Sequence, residues 1–97
     1  MKFGLKEREL DEIKVLYYLF PEIDEIVIFG SRARGDYSRV SDIDIAIKGD
    51  VDKIMYKIRD YFEESSIIYT VDVVNYISIS NQDFKENIDS EGVIING

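Results

Sequence analysis

Neither cysteine nor histidine occurs anywhere in the 97 residues. Without cysteine there can be no disulfide and no thiolate metal site, which fits a cytoplasmic setting. Without histidine the commonest general base and the commonest transition-metal ligand are missing. A metal held by this chain must therefore sit among oxygen ligands, which points to Mg²⁺ or Mn²⁺ and away from zinc. Proline is used once, at Pro21. No apolar run approaches the ~20 residues that span a bilayer. Met1-Lys2-Phe3-Gly4 runs straight into a charged helical pattern, unlike a signal peptide, so no membrane contact is expected. Basic residues are also scarce. Twelve Lys and Arg face twenty Asp and Glu, for a formal net charge of −8. Such a chain repels nucleic acid unless it carries a local basic patch, so no direct nucleic-acid binding is expected. The one candidate patch is Arg32, Arg34 and Arg39, compact enough for a focused anion site and too short for a nucleic-acid-binding stripe.

The length suits one compact domain, residues 1–97, and 45% hydrophobic residues are ordinary for a globular fold. From Leu5 to Phe20, Leu10, Ile13, Tyr17 and Phe20 recur at helical spacing, and Pro21 closes the segment. The apolar run Glu25–Phe29, ended by Gly30, reads as a buried strand. Asp42–Lys48 alternates, with Ile43, Ile45 and Ile47 on one face and Asp42, Asp44 and Ala46 on the other, as a strand does. Val51–Phe62 has the apolar period of a helix. Ile67–Tyr76 is rich in β-branched and aromatic residues and reads as a strand. Asn81 caps a helix to Ser90, and Val93–Ile95 is an edge strand. The order α-β-(loop or short α)-β-α-β-α-β implies an α/β fold, with helices packed on a small sheet; the pattern leaves the connectivity of that sheet open.

The chemistry is concentrated in Gly30–Asp44, GSRARGDYSRVSDID. Asp42 and Asp44, two apart on a strand, leave it on the same side with Cα atoms roughly 6.5–7 Å apart. Two such carboxylates can converge on one divalent cation or clamp two; left alone, they repel. Gly30 and Ser31 follow a buried strand, where glycine permits a sharp turn and close approach of a ligand. A short helix from Ser31 through Arg34 would aim backbone N–H groups at a phosphate. Arg32 and Arg34 could neutralise a triphosphate, or pair with the surplus acids. Asp72 interrupts the apolar run TVDVVNY, and an acid buried there is costly unless paired or metal-bound. It is placed on the same face as Asp42 and Asp44.

These residues resemble the nucleotidyltransferase superfamily that includes DNA polymerase β, whose signature is Gly-Ser, ten residues, Asp-x-Asp, and a third acid on a later strand. Here it reads Gly30-Ser31, Asp42-Ile43-Asp44 and Asp72. The wording GSRARG followed by SDIDIAI is similar to the minimal, MNT-type members, from Ile26 through the terminal EGVII. The resemblance implies a polymerase-β-like core, with a small mixed sheet of three or four strands. It implies that Asp42 and Asp44 bind the metals carrying the NTP phosphates, and that Asp72 holds the catalytic metal and helps activate the attacking hydroxyl. Gly30 and Ser31 would contact the β- and γ-phosphates, with Arg32 and Arg34 beside them. It further implies transfer of AMP from ATP, and a role as the antitoxin of a HEPN-family toxin. A docking module that neutralises such a toxin without catalysis is the alternative. A free-standing transferase for a small molecule fits less well, because no acceptor-binding domain is evident. A homo-oligomer is left open.

Overall fold

The computed structural model describes residues 2–97. Helix α1 (Glu7–Leu19) buries Leu10, Ile13 and Leu16. Its first turn is closed by the Glu9 carboxylate, which accepts from the Lys6 backbone N–H at 2.8 Å. It ends before Pro21, whose missing N–H and ring cannot continue a helix. Strand β1 (Ile23–Phe29) runs into α2 (Gly30–Arg34), and β2 (Ile43–Gly49) follows. A 3₁₀ turn (Asp52–Ile54) leads into α3 (Met55–Glu64), and β3 (Val71–Asn75) comes next. A second 3₁₀ turn (Tyr76–Ser78), α4 (Gln82–Glu91) and β4 (Val93–Ile95) complete the chain. Asn81 caps α4, its side chain accepting from Phe84 N–H at 3.0 Å, as its position suggests.

The four strands form one sheet in the order β3-β2-β1-β4. β1 is antiparallel to both β2 and β4, while β2 and β3 are parallel. A parallel pair cannot be joined by a hairpin, and α3 supplies the crossover between β2 and β3. This is the connectivity that the alternation of elements alone left undetermined. The period-two pattern of β2 divides the molecule. Ile43, Ile45 and Ile47 are fully buried in the larger core with α1, α3 and Val73. Ala46 and Val27 face the other side, under Ile88 and Phe84 of α4. Truncating one of the three isoleucines to alanine should cost about 2–5 kcal/mol.

Several boundaries differ from the sequence-based expectation, and two of them bear on the acids. β2 begins at Ile43, whose N–H donates to Thr70 O at 2.9 Å, so Asp42 lies in the lead-in to the strand. β3 begins only at Val71. Residues 67–70 have strand-like composition but other commitments, since Ile67 enters the core and Tyr69 stacks on the Arg32 guanidinium, 4.3 Å from ring centroid to Cζ. Tertiary packing has overridden β propensity there. Among the described residues no helix is long and apolar enough to cross a membrane.

Candidate active site

The ladder between β2 and β3 sets Asp44 opposite Asp72. Partners in a parallel register share a face, so the two carboxylates stand side by side as the sequence implies. Asp44 is half-buried and Asp72 exposed. Asp72 was expected to be buried and thereby in need of a partner. It is not, because β3 is an outer strand of the sheet. Burial pushes the Asp44 carboxyl above the usual carboxylate range; the charges of Asp72 and then Asp42 push it the same way, and Arg34 opposes them. Asp44 is therefore within electrostatic reach of both other acids and stands at the hub.

Gly30 completes this hub. It ends β1's run into α2 with φ +73°, and a Cβ there would run into Asp44 Oδ2. Glycine thus serves twice: it accepts the left-handed backbone, and it leaves the Asp44 carboxylate where a side chain would make it shift. Phe29, the residue before it, pairs with Asp44 across the β1–β2 ladder. This places the Gly30-Ser31 turn directly against the acids.

The donor set suits a hard divalent cation: carboxylate oxygens only, with one of them made costly by burial and like charge. Among the described residues, no three acidic side chains are gathered closely enough to form a ready-made metal cage. Mutually repelling carboxylates do not close on one point by themselves, and Asp42 and Asp72, both exposed, have room to turn toward Asp44.

Arg32 requires a correction. It was expected to face the triphosphate, yet it is only 2% exposed. Its Nε and Nη2 both donate to Ser41 O, at 3.0 and 2.8 Å, and its Nη1 donates to Phe3 O at 2.9 Å. The rings of Tyr37 and Tyr69 lie against the guanidinium. Arg32 is committed to the carbonyl one residue before Asp42 and to the N-terminal segment, and it has no free face for a phosphate. Arg34 is exposed but held: Nη1 pairs with Glu91 at 2.9 Å and Nε with Asp36 at 3.2 Å. A triphosphate would have to compete with both acids for it. Glu91, fifty-seven residues away along the chain, carried no local signal that could have linked it to Arg34. Arg39 is exposed and makes no ion pair among the described residues.

A consequence can be checked directly. Arg32→Met should destabilise the fold by about 1–3 kcal/mol for each carbonyl left without a donor, measured by urea unfolding. Arg32→Lys should recover only part of this, since an ammonium cannot reproduce the guanidinium fork. Near-normal stability combined with loss of nucleotide binding would restore the phosphate role.

Comparison with known proteins gives this arrangement its class. The family model described as Polymerase beta, Nucleotidyltransferase matches residues 11–97, and the chain belongs to that family. A protein of Methanocaldococcus jannaschii bearing the name "Putative protein adenylyltransferase MJ0604" is 67% identical over 30 residues. That stretch is 31% of this chain and 30% of the relative. Two solved structures share the fold at 25% identity. The crystal structure of a toxin–antitoxin with AMP-PNP superposes with a TM-score of 0.73, over 91% of this chain and 73% of that one. A mutant of the toxin–antitoxin MntA-HpeT superposes with a TM-score of 0.71, over 96% and 73%. The minimal, MNT-type resemblance thus holds at the level of fold as well as motif.

Proposed function

We propose that residues 1–97 form a single minimal nucleotidyltransferase domain that moves AMP from ATP to a hydroxyl group on a protein partner. We further propose that it serves as the antitoxin of a HEPN-family toxin. The observation that carries the catalytic reading is the juxtaposition of Gly30 with Asp44, and of Asp44 with Asp72 across the ladder. It sets a turn that tolerates close backbone approach against a cluster of carboxylates. The antitoxin reading is supported by the toxin–antitoxin structures that share the fold, and AMP by the AMP-PNP in one of them.

On this reading Asp42 and Asp44 would hold Mg²⁺ or Mn²⁺, and Asp72 lies on the acceptor side, at the outer strand. When bound, a divalent cation neutralises charge developing on the transferring phosphoryl group. Gly30 and Ser31 let the triphosphate approach the backbone. The acceptor oxygen forms a bond to the α-phosphorus, the bridging bond to the β-phosphate breaks, and pyrophosphate leaves. The hydroxyl proton passes to the Asp72 carboxylate, and from there to water. Most of the work is positioning, because in-line attack needs the oxygen held about 3–3.5 Å from phosphorus.

The net charge of −8 favours a basic partner, which suits an RNA-cutting toxin that must itself attract phosphate. Mass spectrometry of the co-expressed pair is expected to show AMP on a partner hydroxyl, most readily a tyrosine, and none with Asp42→Asn. An unmodified partner that is still fully neutralised, equally well by Asp42→Asn, would replace this reading with docking alone.

A further inference from the structure

Beside the acids the surface carries a feature the catalytic cluster does not use. Val40 and Ile68 are each 82% exposed. They flank a cleft of about 500 Å³ whose lining also includes Arg39, Asp42, Tyr69 and Thr70. A second groove runs on from it, between the C-terminal half of α3 and residues 67–71. Ile68, Tyr69 and Thr70 line both, so the two adjoin along this segment as a channel in two parts. It meets β3, the outer strand of the sheet, at Val71. There the edge is only partly covered, by Arg59 Nη2 donating to Val73 O at 3.2 Å. A chain of this composition has strong reason to pair its arginines, yet Arg39 and Arg59 make no ion pair among the described residues. Glu63, at the far end, is the acid that lines the second groove.

We infer that this channel is the docking site for the acceptor, which enters as an extended peptide segment. That segment lays apolar side chains on Val40 and Ile68 and an acidic side chain against Arg39, bringing its hydroxyl to Asp42 and Asp72. The inference rests on the nucleotidyltransferase reading above. Three observations support it: the channel opens onto Asp42, its exposed side chains are the apolar kind that a segment of partner chain would cover, and its unpaired arginines complement an acidic residue. Extended segments are a common ligand of free sheet edges, where the backbone gives affinity and neighbouring pockets give selectivity. The chemistry is the transfer already written, with the peptide hydroxyl as the attacking group and pyrophosphate leaving.

The test uses the full chain, Mg²⁺, labelled ATP and a library of short synthetic peptides, each with one central tyrosine among randomised neighbours. Modified peptides should be enriched in apolar residues and in Asp or Glu near the tyrosine. Ile68→Ser with Val40→Ser should raise KM for a selected peptide about tenfold with kcat little changed, and Arg39→Glu should turn the acidic preference into a basic one. All three side chains are exposed, so the variants should fold, and their melting shift with Mg·ATP should match that of the parent. Modification without sequence bias, or the same bias in every variant, would overturn the inference. So would loss of the Mg·ATP shift in Ile68→Ser, which would make the cleft a nucleotide pocket. If the parent binds Mg·ATP but modifies no peptide, docking of an extended acceptor is wrong while the nucleotide site stands. If it shows neither shift nor transfer, the proposed function falls with it.

Discussion

Asp44→Asn is expected to cut Mg²⁺-dependent transfer from labelled ATP by at least about 10²–10³-fold, while raising the melting temperature of the metal-free protein. The two effects have one origin. Asp44 is the most enclosed of the three acids, and burial together with Asp72 and Asp42 raises its carboxyl above the unfolded value. A raised acid binds its proton more readily in the folded state, so its ionisation opposes folding. Stability is then highest below the unfolded carboxylate range and is lost as pH rises through the folded pKa. Asparagine removes the charge that causes this loss, so the parent's decline in stability over that interval should flatten in the variant. Adding Mg²⁺ should stabilise the parent more than Asp44→Asn, because a ligand that binds only the native state raises its melting temperature. A variant that is less stable than the parent at neutral pH without metal, or that keeps near-normal transfer, would remove Asp44 from the centre of the site.

Gly30→Val should lose both stability and the melting shift with Mg·ATP. At φ +73° an L-residue costs roughly 1–2 kcal/mol, and β-branching adds to this. In a domain of this size each kcal/mol is worth about 4–8 °C of Tm. The larger effect is local. The new Cβ would displace Asp44 Oδ2, so the substitution disturbs the proposed nucleotide turn and the proposed metal ligand together. Gly30→Ala makes the same contact with less bulk and should fall between the two. In the parent, Mg·ATP at a hundred times its Kd would contribute about 2.7 kcal/mol. Calorimetry of Gly30→Val should show almost none of it, and an undiminished shift would mean that the phosphates lie elsewhere.

The acids and the turn were legible in the sequence because each depends on short-range geometry. Asp42 and Asp44 are two residues apart, Gly30 follows a short apolar run that reads as a strand, and Ile43, Ile45 and Ile47 mark the buried face by their alternation. Asp72 was legible as an interruption of an apolar strand, although the reason given for it, burial, was wrong. The fate of the arginines was not legible. Arg32 and Arg34 stand two residues apart in the same motif, yet one is buried on carbonyl oxygens at Phe3 and Ser41 and the other is held at the surface by Glu91 and Asp36. Only the packing of distant segments separates them. Sheet order was hidden for a related reason: the pairing of β4 with β1 joins residues nearly seventy apart, and no local pattern encodes it.

The pairing of Asp44 with Asp72 also bears on how the chain finds its fold. In a strand, a shift of one residue sends every side chain to the opposite face. Were β3 to slip by one against β2, Asp72 would be driven toward the isoleucine core, and Val71 or Val73 would stand opposite Asp44. An unpaired carboxylate in apolar surroundings is too costly to persist, so the misaligned sheet would come apart and realign. The acid proposed for chemistry thereby acts as an alignment mark during assembly. Replacing it with a small apolar residue would relax that discrimination and leave a chain that folds, but with two registers in competition.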